Sequence, residues 1–208
     1  MKILAVSDVV LSLLYNAHVV QRFPDVDVLI GCGDLPYYYL EYLISTLNRP
    51  LYYVRGNHAS RVEYGVSGEQ VAPLGGVDLH RRCVRTESGL LLAGVEGSLV
   101  YNYGPYQYSQ AAMWWYVLGL VPALLWNKLR RGRFLDVFVT HAPPWRIHDQ
   151  DDLPHQGIKA FQWFDRVFQP AYHLHGHIHV YQSDTITLTH LGRTQIVNTF
   201  GYRELQLD

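Results

Sequence analysis

The chain has 208 residues, with 17 Lys and Arg residues against 18 Asp and Glu residues, so its net charge at pH 7 is -1. This length is enough for one domain with a proper apolar core, and no disulfide or metal is needed merely to fold. The near-neutral charge argues against binding to long duplex nucleic acid, which requires clustered cations. The two cysteines, Cys32 and Cys83, are far apart and form no CxxC pair. They argue against a disulfide framework and predict a reducing, cytoplasmic compartment.

The start of the chain is not predicted to be a targeting segment, because Ser7 and Asp8 interrupt its first apolar run. The longest apolar run, 111–126, has 16 residues and contains Gly119 and Pro122. It is shorter than the roughly 18 residues expected of a transmembrane helix.

The first part of the chain repeats one design, in which an apolar strand ends in polar residues. Strands are predicted at 2–8, 26–34 and 50–58, because continuous apolar runs are typical of strands that are covered on both faces. A helix is predicted over 37–47, with Pro36 suited to its first turn, and a short helix over 11–23. Alternating strands and helices predict an α/β fold with ligands at the carboxyl ends of the strands.

The middle of the chain is less regular. Residues 61–76 are predicted as a loop, 77–96 as a hairpin that turns near 87–89, and 101–108, with four tyrosines, as an aromatic surface or lid.

A helix broken near Pro122 is predicted over 110–129. It is apolar nearly all round, so it must be covered by the core, by another subunit or by a lipid-like ligand. The cations at its end are interpreted as complementing the helix C-terminus. They are Lys128, Arg130, Arg131 and Arg133.

The last part contains a strand at 134–141 that ends in His141, a helix at about 157–168, and a strand rich in histidine. Four of the eleven histidines lie between positions 173 and 179. This strand is predicted to end at Gly176, so that two histidines project from a turn, as two ligands of one metal would. The tail, 184–207, is predicted to form an antiparallel hairpin around Gly192 that closes the sheet.

Polar blocks follow the predicted strands in one order: Asp8; Gly33-Asp34; Gly56-Asn57-His58; His141; and Gly176-His177-Ile178-His179. In this order they resemble the calcineurin-like metallophosphoesterase superfamily, whose pattern runs D-x-H, G-D, G-N-H-D/E, H and G-H-x-H. The resemblance spans 8–179. It implies a four-layer α/β/β/α sandwich in a single domain over 1–208, with the aromatic and apolar segment at about 101–130.

The resemblance also implies an activity and a ligand set. The activity is hydrolysis of a phosphodiester, favoured over a phosphomonoester, by a hydroxide held between two metals. Two carboxylates, one amide and three imidazoles suit Mn, Fe, Zn or Co better than Mg or Ca. His58 is implied to face the substrate and to assist the departing oxygen. The implied metal ligands are Asp34 as the bridge, Asp8 and His179 at the first metal, and Asn57, His141 and His177 at the second.

Two positions depart from the family pattern. Val10 stands where the first block has a histidine, so the first metal site is expected to be weak or empty, and Ala59 stands where the third block has an acidic residue. Purple acid phosphatases, in the same superfamily, also lack that histidine and use G-D-x-x-Y. Tyr37 has this spacing and is a further candidate ligand, with packing at a helix start as the alternative.

Three further points stay open at this stage. A hydrophobic cap over the site would admit a lipid-linked substrate in place of an ordinary small phosphoester. The preferred alternative is an ordinary buried helix, or a homodimer through the segment 110–128. The retromer subunit of the same fold acts as a protein-binding scaffold with a degraded site, and this is the alternative function. Five residues near the blocks could line the site but have no assigned role: Arg55, Arg61, Arg146, His148 and His155.

Overall fold

The structure is a computed structural model that describes residues 1–65 and 68–207. The strands described are β1 (Lys2–Ser7), β2 (Val28–Gly31), β3 (Leu51–Tyr53), β4 (Glu63–Gly65), β5 (Gly68–Gln70), β6 (Gly76–Asp78), β7 (Arg82–Arg85), β8 (Leu91–Val95), β9 (Ser98–Leu99), β10 (Gln107–Tyr108), β11 (Val137–Thr140), β12 (Tyr172–His175), β13 (Leu188–Leu191), β14 (Thr194–Asn198) and β15 (Gly201–Gln206). The helices described are α1 (Val19–Arg22), α2 (Tyr37–Leu47), α3 (Gln110–Arg131) and α4 (Lys159–Phe168), with a 3-10 turn at Leu153–His155.

Two mixed sheets form the centre of the molecule. The first has the strand order β15-β1-β2-β3-β6, and the second has the order β13-β14-β12-β11-β8-β7. The inner strands of each sheet are parallel, with antiparallel pairing of β15, β13 and β7 at the edges. The carboxyl ends of the parallel strands therefore lie side by side at one end of each sheet, which is where ligands bind in open α/β folds.

Alternate side chains of each strand pack into different cores. In β1, Ile3 and Ala5 pack between the two sheets, whereas Leu4 and Val6 pack against α1 and α2. A third core lies between the second sheet and the helices α3 and α4, with Phe138 stacked on Phe164 at a ring distance of 4.1 Å. The layers are therefore α/β/β/α, which confirms the predicted fold class.

A buried polar contact joins α4 to the second sheet. His173 Nδ1 lies 2.7 Å from Asp165 Oδ2, and His173 Nε2 lies 2.9 Å from the hydroxyl of Thr140. The Thr140 hydroxyl donates to the carbonyl of Ala142, so Nε2 must donate to Thr140. Because all three side chains are fully buried, loss of one partner would leave another unsatisfied.

Several predicted elements are confirmed. The helix at 37–47 has the predicted bounds, the strand of histidines ends before Gly176, and the hairpin at Gly192 is present. The hairpin predicted over 77–96 is confirmed only for β7 and β8, because β6 pairs with β3 in the first sheet. The predicted loop at 61–76 was wrong in part, because it contains the paired strands β4 and β5. Residues 66–67, which separate them in sequence, lie outside the described residues.

Three other predictions need correction. The short helix is limited to α1, because the Asn16 side chain bonds to the carbonyls of Ser12 and Leu13 in place of a helical turn. The tail does not form only a hairpin, because the chain crosses to the first sheet between β14 and β15. Strand β15 begins at Gly201, whose φ of 76° allows the chain to turn.

The third correction concerns α3, which continues through Pro122 without a break. Pro122 is exposed, so solvent can reach the carbonyl that loses its partner. A proline inside a helix costs about 3 kcal/mol, and burial of the opposite face offsets this cost. Although α3 has 22 residues, none of the described helices is both long and apolar enough to cross a membrane.

Candidate metal centre

Three of the predicted site residues adopt a left-handed backbone conformation within three residues of the end of their strands. The φ angles are 66° at Asp8, 54° at Asp34 and 68° at His177. This conformation is uncommon outside glycine, although Asp and His adopt it more readily than most residues. Such strain clusters at functional sites, where the surrounding structure enforces it.

Asp8, Asp34 and His141 form the centre of the site. Each offers one potential ligand atom, and these atoms lie within 4.8 Å of one another. His141 Nε2 is 3.2 Å from Asp34 Oδ2 and 3.0 Å from the amide oxygen of Asn57. Two carboxylates, an imidazole and an amide oxygen thus converge from the ends of β1, β2, β3 and β11.

Glycines make this convergence possible. At three block glycines, a Cβ atom would collide with a potential ligand from a different block. The collisions are Gly33 with His141, Gly56 with Asp34, and Gly176 with Asp8. The glycine of each block therefore leaves space for a side chain that arrives from elsewhere in the sequence, and this space explains the G-D, G-N-H and G-H-x-H patterns.

Hydrogen bonds hold the potential ligands in defined orientations. His141 Nδ1 donates to the carbonyl of Cys32 at 2.8 Å, which leaves Nε2 to bind a metal, and His177 Nε2 donates to the carbonyl of Pro154 at 2.8 Å, which leaves Nδ1. The amide nitrogen of Asn57 donates to the hydroxyl of Tyr101 at 3.2 Å. This bond turns the amide oxygen of Asn57 toward His141. The role of Tyr101 was not predicted, because its sequence signal was only a cluster of tyrosines.

The electrostatics of the centre suit a cation. Burial raises the pKa of Asp8 above its ordinary value. Burial also acts to raise the pKa of Asp34, but the charge of His141, together with hydrogen bonds, lowers it to about 2. Burial acts to lower the pKa of His141, whereas the Asp34 carboxylate raises it. A metal cation would compensate the two carboxylates more completely than one imidazolium does. The donor set therefore fits a metal cation.

The two histidines after Gly176 differ in burial and in their contacts. The His177 ring is buried with its centroid 4.9 Å from that of His141, and the backbone N–H of His177 donates to the Asp8 carboxylate at 3.0 Å. His179 is exposed, and its Nδ1 is 2.8 Å from the hydroxyl of Tyr181. Neither histidine is part of the group formed by Asp8, Asp34 and His141.

His58 lies at the mouth of the site. Its backbone N–H donates to Asp34 Oδ1 at 2.8 Å, and its side chain is exposed. A cavity of about 520 Å³ opens beside it. The residues that line the cavity include Asp34, Pro36, His58, Ser60 and Glu63.

The two residues that depart from the family pattern, Val10 and Ala59, are both shielded from solvent at least in part. Val10 is partly buried and packs against the core of the first sheet, and Ala59 is buried. The Tyr37 hydroxyl donates to the carbonyl of Val71 at 3.1 Å and accepts a bond from Arg55 at 3.4 Å. In this arrangement Tyr37 packs the start of α2, and its hydroxyl is already bonded.

The five unassigned residues near the blocks do not share one environment. Arg55 forms ion pairs with Asp78 and Glu96. His148 bonds to His175 at 2.8 Å and to Thr189 at 2.9 Å. The remaining three are His155, whose ring centroid is 5.3 Å from that of His177, and the exposed Arg61 and Arg146.

Solved structures share the fold. One crystal structure has a TM-score of 0.65 at 16% identity, with 98% of this chain and 94% of that chain covered. The protein TT1561 of Thermus thermophilus has a TM-score of 0.62 at 17% identity, with 96% and 89% covered. GAP50, described as the anchor in the inner membrane complex of Plasmodium, has a TM-score of 0.53 at 11% identity, with 96% and 71% covered.

These identities are low, so the likeness concerns the fold alone. No curated protein sequence matches the chain. The model of a protein family described as calcineurin-like phosphoesterase matches residues 1–181, and the chain therefore belongs to the calcineurin-like phosphoesterase family.

Proposed function

We propose that this protein is a metal-dependent phosphoric ester hydrolase. The observation that carries the proposal is the convergence of Asp8, Asp34 and His141, with the amide oxygen of Asn57 3.0 Å from His141 Nε2. Family membership supports the same reaction class. Two partly buried carboxylates held close together without a cation are costly to maintain.

The proposed site holds two transition metals, drawn from Mn, Fe, Zn and Co. When bound, they would supply Lewis acidity and lower the pKa of a water molecule. The first site is proposed to be the weaker, because Val10 cannot act as a ligand. Tyr37 remains an untested candidate there and would first have to release its bond to Val71. The proposed ligands are Asp8, His179 and Asp34 at the first metal, and Asn57, His141, His177 and Asp34 at the second.

The residues at the mouth favour a phosphodiester substrate. Among the described residues that line the cavity of about 520 Å³ there is no Lys or Arg, whereas Asp34 and Glu63 are present. A diester carries one negative charge, so it is repelled less than the dianion of a monoester. The exposed imidazole of His58 is proposed to donate a proton to the leaving oxygen.

The test uses metal-stripped protein reconstituted with Mn²⁺, with bis-p-nitrophenyl phosphate and p-nitrophenyl phosphate as substrates. We expect hydrolysis that requires both Mn²⁺ and Asp34, with the diester turned over faster than the monoester. The Asp34→Asn variant, prepared identically, is the control for contaminating activity. Equal turnover by the variant and the parent protein would contradict the proposal.

The alternative function is a protein-binding scaffold, and the observations that favour it are Val10 and the outward position of His179. A scaffold would show no metal-dependent turnover, so the hydrolysis assay with Mn²⁺-reconstituted protein separates the two functions. One catalytic domain over 1–208, a cytoplasmic location, a lipid-linked substrate and a homodimer through 110–128 also remain predictions.

A further inference from the structure

One face of α3 is exposed and almost entirely apolar. Its side chains recur at spacings of three and four residues, which places them in one stripe along the helix. Trp115 is 75% exposed and Leu129 is 77% exposed. The exposed residues of the stripe are Trp115, Leu118, Pro122, Leu125, Trp126 and Leu129. At 1.5 Å per residue, α3 is about 33 Å long.

Cations lie beside α3, several of them near its carboxyl end. Seven of the chain's 17 Lys and Arg residues lie in or next to the end of α3 and the edge strand β7, which packs against α3. Of these, Arg81 lies over the Tyr116 ring in the first half of the helix. The helix itself contains no Asp or Glu. The seven cations are Arg81, Arg82, Arg85, Lys128, Arg130, Arg131 and Arg133.

A groove of about 770 Å³ lies where these segments meet. Arg85, Arg130 and Arg131 line it and have no acidic partner within ion-pair distance among the described residues, while Arg133 is paired with Asp136. The N-terminal residue Met1 also lines the groove. Guanidinium groups around one opening that have no ion-pair partner among the described residues are suited to bind phosphate oxygens.

We propose that this face of α3 docks the protein onto an anionic phospholipid bilayer, with the arginine groove receiving headgroup phosphates. Interfacial helices typically combine a Trp- and Leu-containing apolar face with flanking Lys and Arg, and they lie in the plane of the membrane. Both tryptophans of the stripe suit the boundary between headgroups and acyl chains. A second copy of the chain is the less favoured occupant, because an apolar partner face would leave the arginine groove without an anion. The proposal does not depend on the proposed hydrolysis.

The experiment is co-sedimentation of the full chain with vesicles of phosphatidylcholine, with and without about a quarter of phosphatidylglycerol. We expect binding to the anionic vesicles only, weakening as salt is added, with a blue shift of tryptophan fluorescence. The double variant Trp115→Gln/Leu129→Gln should bind at least about tenfold more weakly. Each of Arg130→Gln and Arg131→Gln should lower the partition coefficient about fivefold.

Matched controls lie away from this face. Ile186 is also strongly exposed but precedes β13, at the opposite edge of the second sheet, and Arg22 is exposed at the end of α1. Ile186→Gln and Arg22→Gln should bind vesicles as the parent protein does, and thermal unfolding verifies that every variant is folded. Equal binding by the α3 variants, or no preference for anionic vesicles, would overturn the proposal. A dimer in sedimentation equilibrium that Trp115→Gln/Leu129→Gln dissociates would also overturn it, because a second copy would then cover the face.

Discussion

Replacement of Gly56 by alanine tests whether the space beside Asp34 determines metal binding. A Cβ atom at this position would collide with Asp34 Oδ1 and lie 2.7 Å from the Asp34 backbone nitrogen. Because part of the obstacle is backbone, rotation of the side chain alone cannot relieve the collision. The carboxylate must move, and the 2.8 Å hydrogen bond from the His58 N–H is lost with it.

The magnitude follows from these two effects. Overpacking of a tight site costs about 1 to 3 kcal/mol, and the lost hydrogen bond adds about 1 kcal/mol. We therefore expect Gly56→Ala to lower the free energy of unfolding of metal-free protein by about 2 to 4 kcal/mol. Displacement of Asp34 should weaken Mn²⁺ binding by about 10- to 100-fold, as loss of well-oriented ligand partners does.

Urea unfolding and isothermal titration calorimetry with Mn²⁺ measure the two quantities. Gly119→Ala is the matched control, because a Cβ atom there meets nothing within 4 Å. Because Gly119 lies in a helix, its replacement by alanine should raise the free energy of unfolding by about 1 kcal/mol. The affinity for Mn²⁺ should not change. If Gly56→Ala is as stable as the parent protein and binds Mn²⁺ equally well, the assigned position of Asp34 is wrong.

Three other predictions concern pH, a buried contact and the first metal site. Burial lowers the pKa of His80 from 6.5 to about 4, so the stability from its neutral form is complete above pH 6.5 and is lost as the pH falls toward 4. This loss amounts to about 3 kcal/mol. When the free energy of unfolding in urea is plotted against pH, the slope should be smaller in His80→Gln than in the parent protein, and an unchanged slope would contradict the assignment. His173→Ala should cost about 3 to 5 kcal/mol because it leaves Asp165 buried without its partner; a loss below about 1 kcal/mol in chemical denaturation would show that the contact contributes little. Val10→His should strengthen binding of a metal at the first site, seen by calorimetry as a tighter Mn²⁺ binding step, whereas an identical titration curve would argue against that ligand position.

Local patterns in the sequence were enough to predict much of the architecture. The apolar runs before Asp8, Asp34 and Asn57 predicted β1, β2 and β3, and the spacing of apolar residues predicted α2 with its bounds. These features are local, because a strand or helix must present its apolar side chains with its own period. Strands that alternate with helices run parallel in one sheet, so the polar residues that follow them meet at the same end of the sheet.

Other features depended on contacts between distant parts of the chain. Asn57 and Tyr101 are 44 positions apart, so the orientation of the amide could not be deduced from either segment alone. The continuity of α3 through Pro122 depended on which face the core would cover. The crossing of β15 to the first sheet likewise depended on the open edge of β1.

The sequence by itself therefore determined the order of the main strands and helices and the residue types at the strand ends, since these depend on local periodicity and side-chain chemistry. The tertiary structure decided which of those side chains converge, because convergence requires several strand ends to be brought together in three dimensions. It placed Asp8, Asp34 and His141 in one group, left His179 at the surface, and exposed the stripe of α3. An apolar helix has the same local sequence signal whether its second face is covered or not, so only packing could show that this face is open.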